Sequence, residues 1–463
     1  MALSIGHALM IVAAVIVCIL ALISLGLGLF IAGLVLLVRP WDGNTQRDHR
    51  WATSAPYPVF WLGSWVLRAA EYVVSLKPGT LRAGELARAY AHSQVLFALS
   101  NLGVPDLLCA GPSTAAELAS SIGPAVPVDW LERLLATAAA FGMLNRKKCK
   151  GASLDTAAVE DGKDAQLKLC SDKQQQQQLG LPAGPVWQYS LNGVSAALTR
   201  ESPVSVANVV KMFEDQSAGY AYLAEGIRTG RVPFELWSGG QTFWQHLEAN
   251  PRYAATFDAG MHEVNHFGGT AVAVNYPWSK FDCVVDVAGG VGGFLADIMS
   301  SNGKLQGVLF DQPGQIARAE TLWQTTHSGL APRAQLVAGD MFDASTIPAP
   351  PSSGRVAYVL RNILHDWSDS DCVAILRAVR SRISTADLAR VMLLVVEVST
   401  IEEVLPCLHA HRCGNDLNML MAFGDGKERN RAEFEALFAA AGFKLRSIKP
   451  SCGILLTLEA VPV

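Results

Sequence analysis

The stretch CVVDVAGGVGGFL, residues 283–295, decides the fold. Cys283–Val287 is a short run rich in β-branched residues. Gly-rich residues 289–293 follow, and a helical pattern opens at Phe294. Strand, glycine turn and helix in that order begin a βαβ unit. From about Tyr276 onward the same texture repeats. Gly307–Phe310, Gln335–Val337, Ala357–Leu360 and Val391–Val396 read as further strands, with helical patterns between them. Strands alternating with helices predict a parallel α/β sheet. The chain closes with a helix at Arg431–Ala441 and two runs, 443–448 and 453–460, that predict a terminal hairpin.

Chemistry gathers at the carboxyl ends of these strands, where open α/β sheets bind ligands. The glycines after Val287 let backbone approach a ligand closely, and Asp311 ends the next strand, where an acid can bind a ribose diol. Those two features alone fit a dinucleotide as well as S-adenosylmethionine. Gly339-Asp340-Met341-Phe342 adds a carboxylate and an apolar side chain at the end of strand three, suited to flank an adenine. Arg361-Asn-Ile-Leu-His365-Asp366-Trp367-Ser368-Asp369 places an imidazole just past strand four.

With these residues in order, the sequence resembles the plant- and fungal-type S-adenosylmethionine-dependent O-methyltransferases of the caffeate and hydroxyindole type. The resemblance spans about residues 85–460. It rests on the glycine turn with FDQP (310–313), GDMF (339–342), LHDWSD (364–369), VVE (395–397), DLNMLM (416–421) and GKER (426–429). It implies a Rossmann-like methyltransferase domain at 271–463 that uses S-adenosyl-L-methionine and no metal. It implies His365 as the base that deprotonates a substrate hydroxyl, with Glu397 and Glu428 orienting it. Asp311 matches the ribose acid, and Asp340 and Met341 match the adenine contacts. Arg361 stands where many relatives carry a cofactor-contacting Lys, and Ala288, Gly289 and Gly290 form the cofactor turn. Met261, His262, Asp366 and Met419 fall in segments that wall the substrate pocket.

Physical chemistry agrees with those roles. Methyl transfer from a sulfonium is an in-line displacement, so orientation supplies most of the catalysis. A phenol has a pKa of about 10, so removing its proton at neutral pH needs a base within reach. Two departures from the family pattern stand out. Ala288 replaces the first glycine of the usual D-x-G-G-G turn, which is harmless at negative φ and crowded at positive φ. Arg361 keeps the charge of Lys but changes its reach.

The first globular region, 81–270, reads as a mostly helical, winged-helix-like dimerisation and substrate-closing domain. Thr114-Ala-Ala-Glu117 is a capping box, and Asp129 is a candidate cap for the next helix. The segments 85–108 and 228–251 resemble the family's dimerisation segments, which implies a homodimer. Basic residues Arg146, Lys147, Lys148 and Lys150 are few, so packing is favoured over nucleic-acid binding. Residues 150–185, with Gln174–Gln178, lack periodicity and read as a disordered insert.

The formal charge of −4 argues against a partner held through phosphates. Mean hydropathy is +0.25, and the excess sits at one end. From Ile5 to Val38 there is no Asp, Glu, Lys or Arg. As a helix this run is about 50 Å long against a hydrocarbon core of about 30 Å. The run exceeds a signal peptide's apolar core and lacks a basic start, so residues 1–40 predict a single transmembrane anchor. Arg39, Arg47 and Arg50 follow it, placing the remainder on the cytosolic side. Residues 41–80 form a juxtamembrane segment with an aromatic stretch at 57–76. Cys407, His409, His411 and Cys413 share a face only on a strand, so they read as a polar loop or helix entry rather than a zinc site. Rival readings are a membrane scaffold that binds cofactor without catalysis, an NAD dehydrogenase, and N- or C-methylation on the same fold.

Overall fold

The computed structural model describes residues 77–149, 186–202, 205–404, 408–424, 426–451 and 453–463. The predicted anchor at 1–40, the aromatic stretch at 57–76 and the insert at 150–185 lie outside the described residues. Among the described residues no single helix is long and apolar enough to cross a membrane.

The amino-terminal part is helical with a small sheet. Helices α1 (Gly79–Ala87) and α2 (Tyr90–Asn101) lead into strand β1 (Ser113–Thr114) and helix α3 (Ala115–Ile122). The capping box forms as read. Thr114 Oγ1 accepts from the Glu117 N–H at 3.3 Å, and Glu117 Oε2 accepts from the Thr114 N–H at 2.7 Å. Helix α4 (Val128–Ala140) differs from expectation. Pro127 takes the cap position with no side-chain bond, and Asp129 sits inside the first turn, where its charge suits the helix dipole. Gly142, at φ 78°, ends the helix. Strands β2 (Asn145–Lys148) and β3 (Trp187–Ser190) complete an antiparallel sheet in the order β1-β3-β2. Leu99, Val104, Leu118, Leu131, Leu135 and Tyr189 are its buried core. The wing's Arg146 is occupied. Its guanidinium lies 4.1 Å over the Trp187 ring and pairs with Glu132 at 3.1 Å.

Helix α5 (Ala207–Gln216) and the 25-residue helix α6 (Pro251–Asn275) carry the chain to the large sheet. Its strands are β4 (Cys283–Val287), β5 (Gln306–Asp311), β6 (Ala334–Ala338), β7 (Val356–Arg361), β8 (Val391–Val398), β9 (Phe443–Pro450) and β10 (Leu455–Pro462), in the order β6-β5-β4-β7-β8-β10-β9. The pairs from β6 to β8 are parallel, while β10 runs antiparallel to both neighbours, so the sheet is mixed. Each central strand is buried on both faces. Val285, Tyr358, Leu360, Leu393 and Val395 pack toward helices α9 (Asp369–Ser381) and α11 (Arg431–Ala440). Val284, Leu309, Ala357, Val359 and Leu394 pack toward α7 (Gly293–Ser301), α8 (Pro313–Thr325) and the end of α6. Period-two alternation therefore feeds two cores, which is why these strands read as continuous apolar runs.

The Cys/His cluster resolves as helix α10 (His409–Phe423). His409 and Cys413 stand one turn apart on it, with His409 Nε2 3.5 Å from Cys413 Sγ. Cys407 lies outside the described residues.

Candidate active site

The order of strands reverses between β4 and β7. The chain winds outward from β4 through β5 to β6, then returns to the other side of β4. That reversal opens a crevice at the carboxyl ends of β4 and β7. The glycine turn leaves β4 and the His365 segment leaves β7, so sequence-distant residues meet across it.

Backbone on both sides of the crevice is unusual. Ala288 has φ 57° and Asn362 has φ 53°, the two non-glycine residues in the left-handed region among those described. Each directly follows a strand bounding the crevice. Such conformations cost free energy and concentrate at ligand sites. Glycine is required nearby for two reasons. At Gly289 a Cβ would lie 2.5 Å from Asp286 Oδ2, so that position is packed shut. At Gly290, with φ +63°, a Cβ would meet nothing within 4 Å, so the turn faces open space. Asp311, ending β5, accepts the Gly290 N–H on Oδ2 at 2.7 Å and the Gln312 N–H on Oδ1 at 2.6 Å. The acid thereby fixes the turn that a nucleoside would approach.

At the end of β6, Asp340 Oδ1 accepts the Phe342 N–H at 2.9 Å, and Met341 packs partly buried against the sheet core. Phe342 meets Trp367 edge-on at 4.9 Å and joins this loop to the His365 loop. Arg361 lies 4.8 Å over the Phe294 ring. Burial lowers its pKa, and Asp286 and Glu397 raise it. Asp286 is buried beneath the turn. Burial pushes its carboxyl up to about 7, against the opposing charge of Arg361.

His365 is held from behind. Its Nδ1 lies 3.0 Å from Glu428 Oε1 and 3.9 Å from Glu397 Oε2, and both acids are almost wholly buried. A carboxylate only accepts, so Nδ1 carries a proton, and Nε2 is the nitrogen left to exchange one with an acceptor. The acids are themselves positioned. Glu397 Oε1 accepts the N–H groups of Ile363 and Leu364 at 2.9 and 2.8 Å. Glu428 Oε1 accepts from the Asn415 amide at 2.6 Å, and Asp416 takes the Glu428 N–H at 2.8 Å. Burial disfavours the imidazolium, but Glu397, Glu428 and Asp366 overcome it and push His365 up to about 10. Burial pushes Glu397 up to about 7, with His365 opposing.

Of the expected pocket residues, Asp366 has an oxygen 3.5 Å from His365 Nε2, and Met419 is buried on α10. Met261 and His262 lie on α6, and the side chain of His262 is outside the described residues. Sequence reading missed Arg429. This buried guanidinium donates to the carbonyls of Leu364 at 2.6 Å and Trp367 at 2.7 Å, and to Asp369 at 2.9 Å. It also missed Asn415 and Asp416. The motif GKER holds Arg429 and DLNMLM opens at Asp416, but the groups these side chains bond lie on distant segments that only folding assembles.

Two kinds of occupant can be tested against these residues. The acid at the end of β5, the turn open at Gly290 and the acid after β6 fit a nucleoside-bearing cofactor. His365, Glu397 and Glu428, expected from the sequence as a base and its two acids, also each offer a metal-ligand atom within 4.8 Å of the others.

Comparisons with known proteins agree with this site. An O-methyltransferase dimerisation domain matches residues 84–158, and an O-methyltransferase domain matches residues 220–444. The 2,7-dihydroxy-5-methyl-1-naphthoate 7-O-methyltransferase of Streptomyces carzinostaticus is 33% identical over 351 residues, covering 76% of this chain and 89% of the relative. The 8-amino-8-demethylriboflavin N,N-dimethyltransferase of Streptomyces davaonensis is 29% identical, covering 79% and 90%. Among solved structures, an O-methyltransferase from neocarzinostatin biosynthesis, in complex with S-adenosylmethionine and 2-hydroxy-5-methyl naphthoic acid, superposes with a TM-score of 0.54. It is 28% identical and covers 80% of this chain and 96% of that one. The glycine turn, the buried His365–Glu428 pair and these matches together place the chain in the S-adenosylmethionine-dependent O-methyltransferase family.

Proposed function

We propose that this enzyme methylates a hydroxyl of a small aromatic molecule, with His365 as general base. The observation that carries the reading is the buried His365–Glu428 pair, backed by Glu397, at the mouth of a crevice whose other wall is the glycine turn. The cofactor supplies an electrophilic methyl on a sulfonium. The residues of this chain do the rest. Asp311 is suited to hold a ribose diol, Asp340 and Met341 an adenine, and Ala288, Gly289, Gly290 and Arg361 line the approach. Met261, His262, Asp366 and Met419 wall the acceptor. His365 Nε2 takes the acceptor's proton, and Glu428 stabilises the imidazolium that forms. Because the imidazole is as basic as a phenol, that transfer is close to balanced in free energy. A second reading, an amine acceptor, is favoured by the riboflavin relative alone.

Labelled methyl donor offered with a panel of phenols, hydroxyindoles and hydroxynaphthoates tests the assignment. The expected product is a methyl ether. Transfer to amines alone, or to no compound while cofactor binds, would overturn it.

The anchor reading is carried by the uncharged run Ile5–Val38. We place the enzyme on a membrane with its catalytic domain facing the cytosol, paired with a second copy through the dimerisation domain. Removing residues 1–40 should release a protein that stays in the supernatant and keeps its turnover. A truncated protein that folds but is inactive would show that the segment does more than anchor.

A further inference from the structure

We infer that the carboxylate nest behind His365 is an inhibitory site for zinc or a similar borderline divalent ion. The inference rests on the reading of His365 as base and adds a means of switching it off.

The nest holds more negative charge than it can satisfy. Each acid has one well-bonded oxygen, Oε1. The second oxygen of each, Glu397 Oε2 and Glu428 Oε2, is buried and has no hydrogen-bond partner among the described residues. Buried carboxylate oxygens without partners are costly, and two of them on the acids that flank one imidazole call for a cation. The single proton on Nδ1 serves Glu428 Oε1. Glu397 Oε2 stands off at 3.9 Å, too far for a hydrogen bond.

One imidazole nitrogen and two carboxylates suit zinc, whose open sites use three protein ligands of these types. The nitrogen disfavours magnesium and calcium, which prefer all-oxygen shells. Two ligands at about 2.0–2.1 Å in tetrahedral array stand about 3.3 Å apart. The present spacings of 3.0 and 3.9 Å from Nδ1 bracket that value, so small side-chain shifts would seat the ion.

Inhibition follows from the imidazole's two nitrogens. Binding at Nδ1 needs that nitrogen's lone pair, so the Nδ1 proton leaves to solvent from the imidazolium, or passes through solvent to Nε2 from the neutral ring. The neutral metal-bound ring then carries its remaining proton on Nε2. The lone pair that would accept the acceptor's proton is gone, while the cofactor turn is untouched.

The test uses the full chain without a polyhistidine tag, stripped with chelator and titrated with buffered free zinc. Methyl transfer and calorimetric binding are read in parallel. Expected are one zinc per chain, inhibition reversed by EDTA, no inhibition by magnesium and unchanged cofactor affinity. E397Q and E428Q should bind zinc at least about tenfold more weakly, whereas C413S should bind it like the parent. X-ray absorption on the unmutated protein, which needs no variant to fold, should show imidazole and oxygen ligands without sulfur. Absence of binding at submillimolar zinc means that water alone fills the nest, and the site is wrong. Sulfur in the shell moves the ion to His409 and Cys413 and also refutes it. Zinc held in the nest without loss of turnover refutes the inhibition and, separately, the role of His365 as base.

Discussion

At the scale of single residues the account turns on His365 and Ala288. The acids behind His365 raise its pKa to about 10, so most of the imidazole in the free enzyme is protonated at neutral pH. The neutral fraction, the form able to accept a proton, grows tenfold per pH unit below that value. The logarithm of kcat/KM should therefore climb with slope near one from about pH 7 to 9. A flat profile with a non-ionising acceptor analogue would remove the base from the rate law. Ala288 answers a question that sequence left conditional. Its φ is 57°, so the position asks for glycine. Ala288→Gly should raise stability by up to about 1 kcal/mol, and Ala288→Val should lower it, because a β-branched residue is worse still in that region. Thermal melts of both variants check the sign. His365, Glu397 and Glu428 were legible as candidates because each sits in a short motif, and the fold brings the three together. The backbone angle at 288 was not, because φ depends on how the turn meets β5.

Among elements, the loop after β7 is fixed from a distance. Arg429 precedes α11 yet grips the carbonyls on both sides of His365 and Asp366, and the first residue of α9. Arg429→Lys keeps the charge but loses the fork that spans two carbonyls. Turnover should fall by about tenfold or more while cofactor affinity holds, since a small misplacement of a catalytic group is costly. Equal losses in cofactor binding and turnover would mean general destabilisation instead. Local signals were readable where both partners are close in sequence, as in the Thr114–Glu117 box. The same logic failed at Asp129, because Pro127 takes the cap position and Asp129 falls inside the first turn of α4. A tertiary clamp such as Arg429 leaves no periodic trace, since its partners lie more than sixty residues away.

For the whole molecule, β-rich runs alternating with helical patterns marked the sheet, and the strand boundaries moved by only a residue or two, whereas its two cores appear only in the folded chain. The terminal hairpin formed as read, but its tie to the rest was hidden. Glu459 on β10 accepts from Tyr276 and Lys280, which follow α6, each at 2.6 Å, and from Ser447 on β9 at 2.6 Å. Burial opposes its charge, yet these donors hold its carboxyl down at about 2. A carboxylate with a depressed pKa stabilises the fold above its ordinary value and loses that contribution as pH falls toward about 2. Glu459→Ala should cost about 2–3 kcal/mol at neutral pH, with a smaller penalty in acid, as read from denaturant midpoints. An equal penalty at both pH values would assign the loss to packing.

The central claim is that an imidazole past β7, oriented by two buried acids, takes the acceptor's proton as the methyl moves. A single-turnover rate for His365→Ala, with cofactor affinity measured on the same preparation, addresses it most directly. The account predicts a rate lower by about 10²–10⁴ with cofactor binding nearly intact. A variant that binds cofactor and transfers methyl at the parent rate would contradict it.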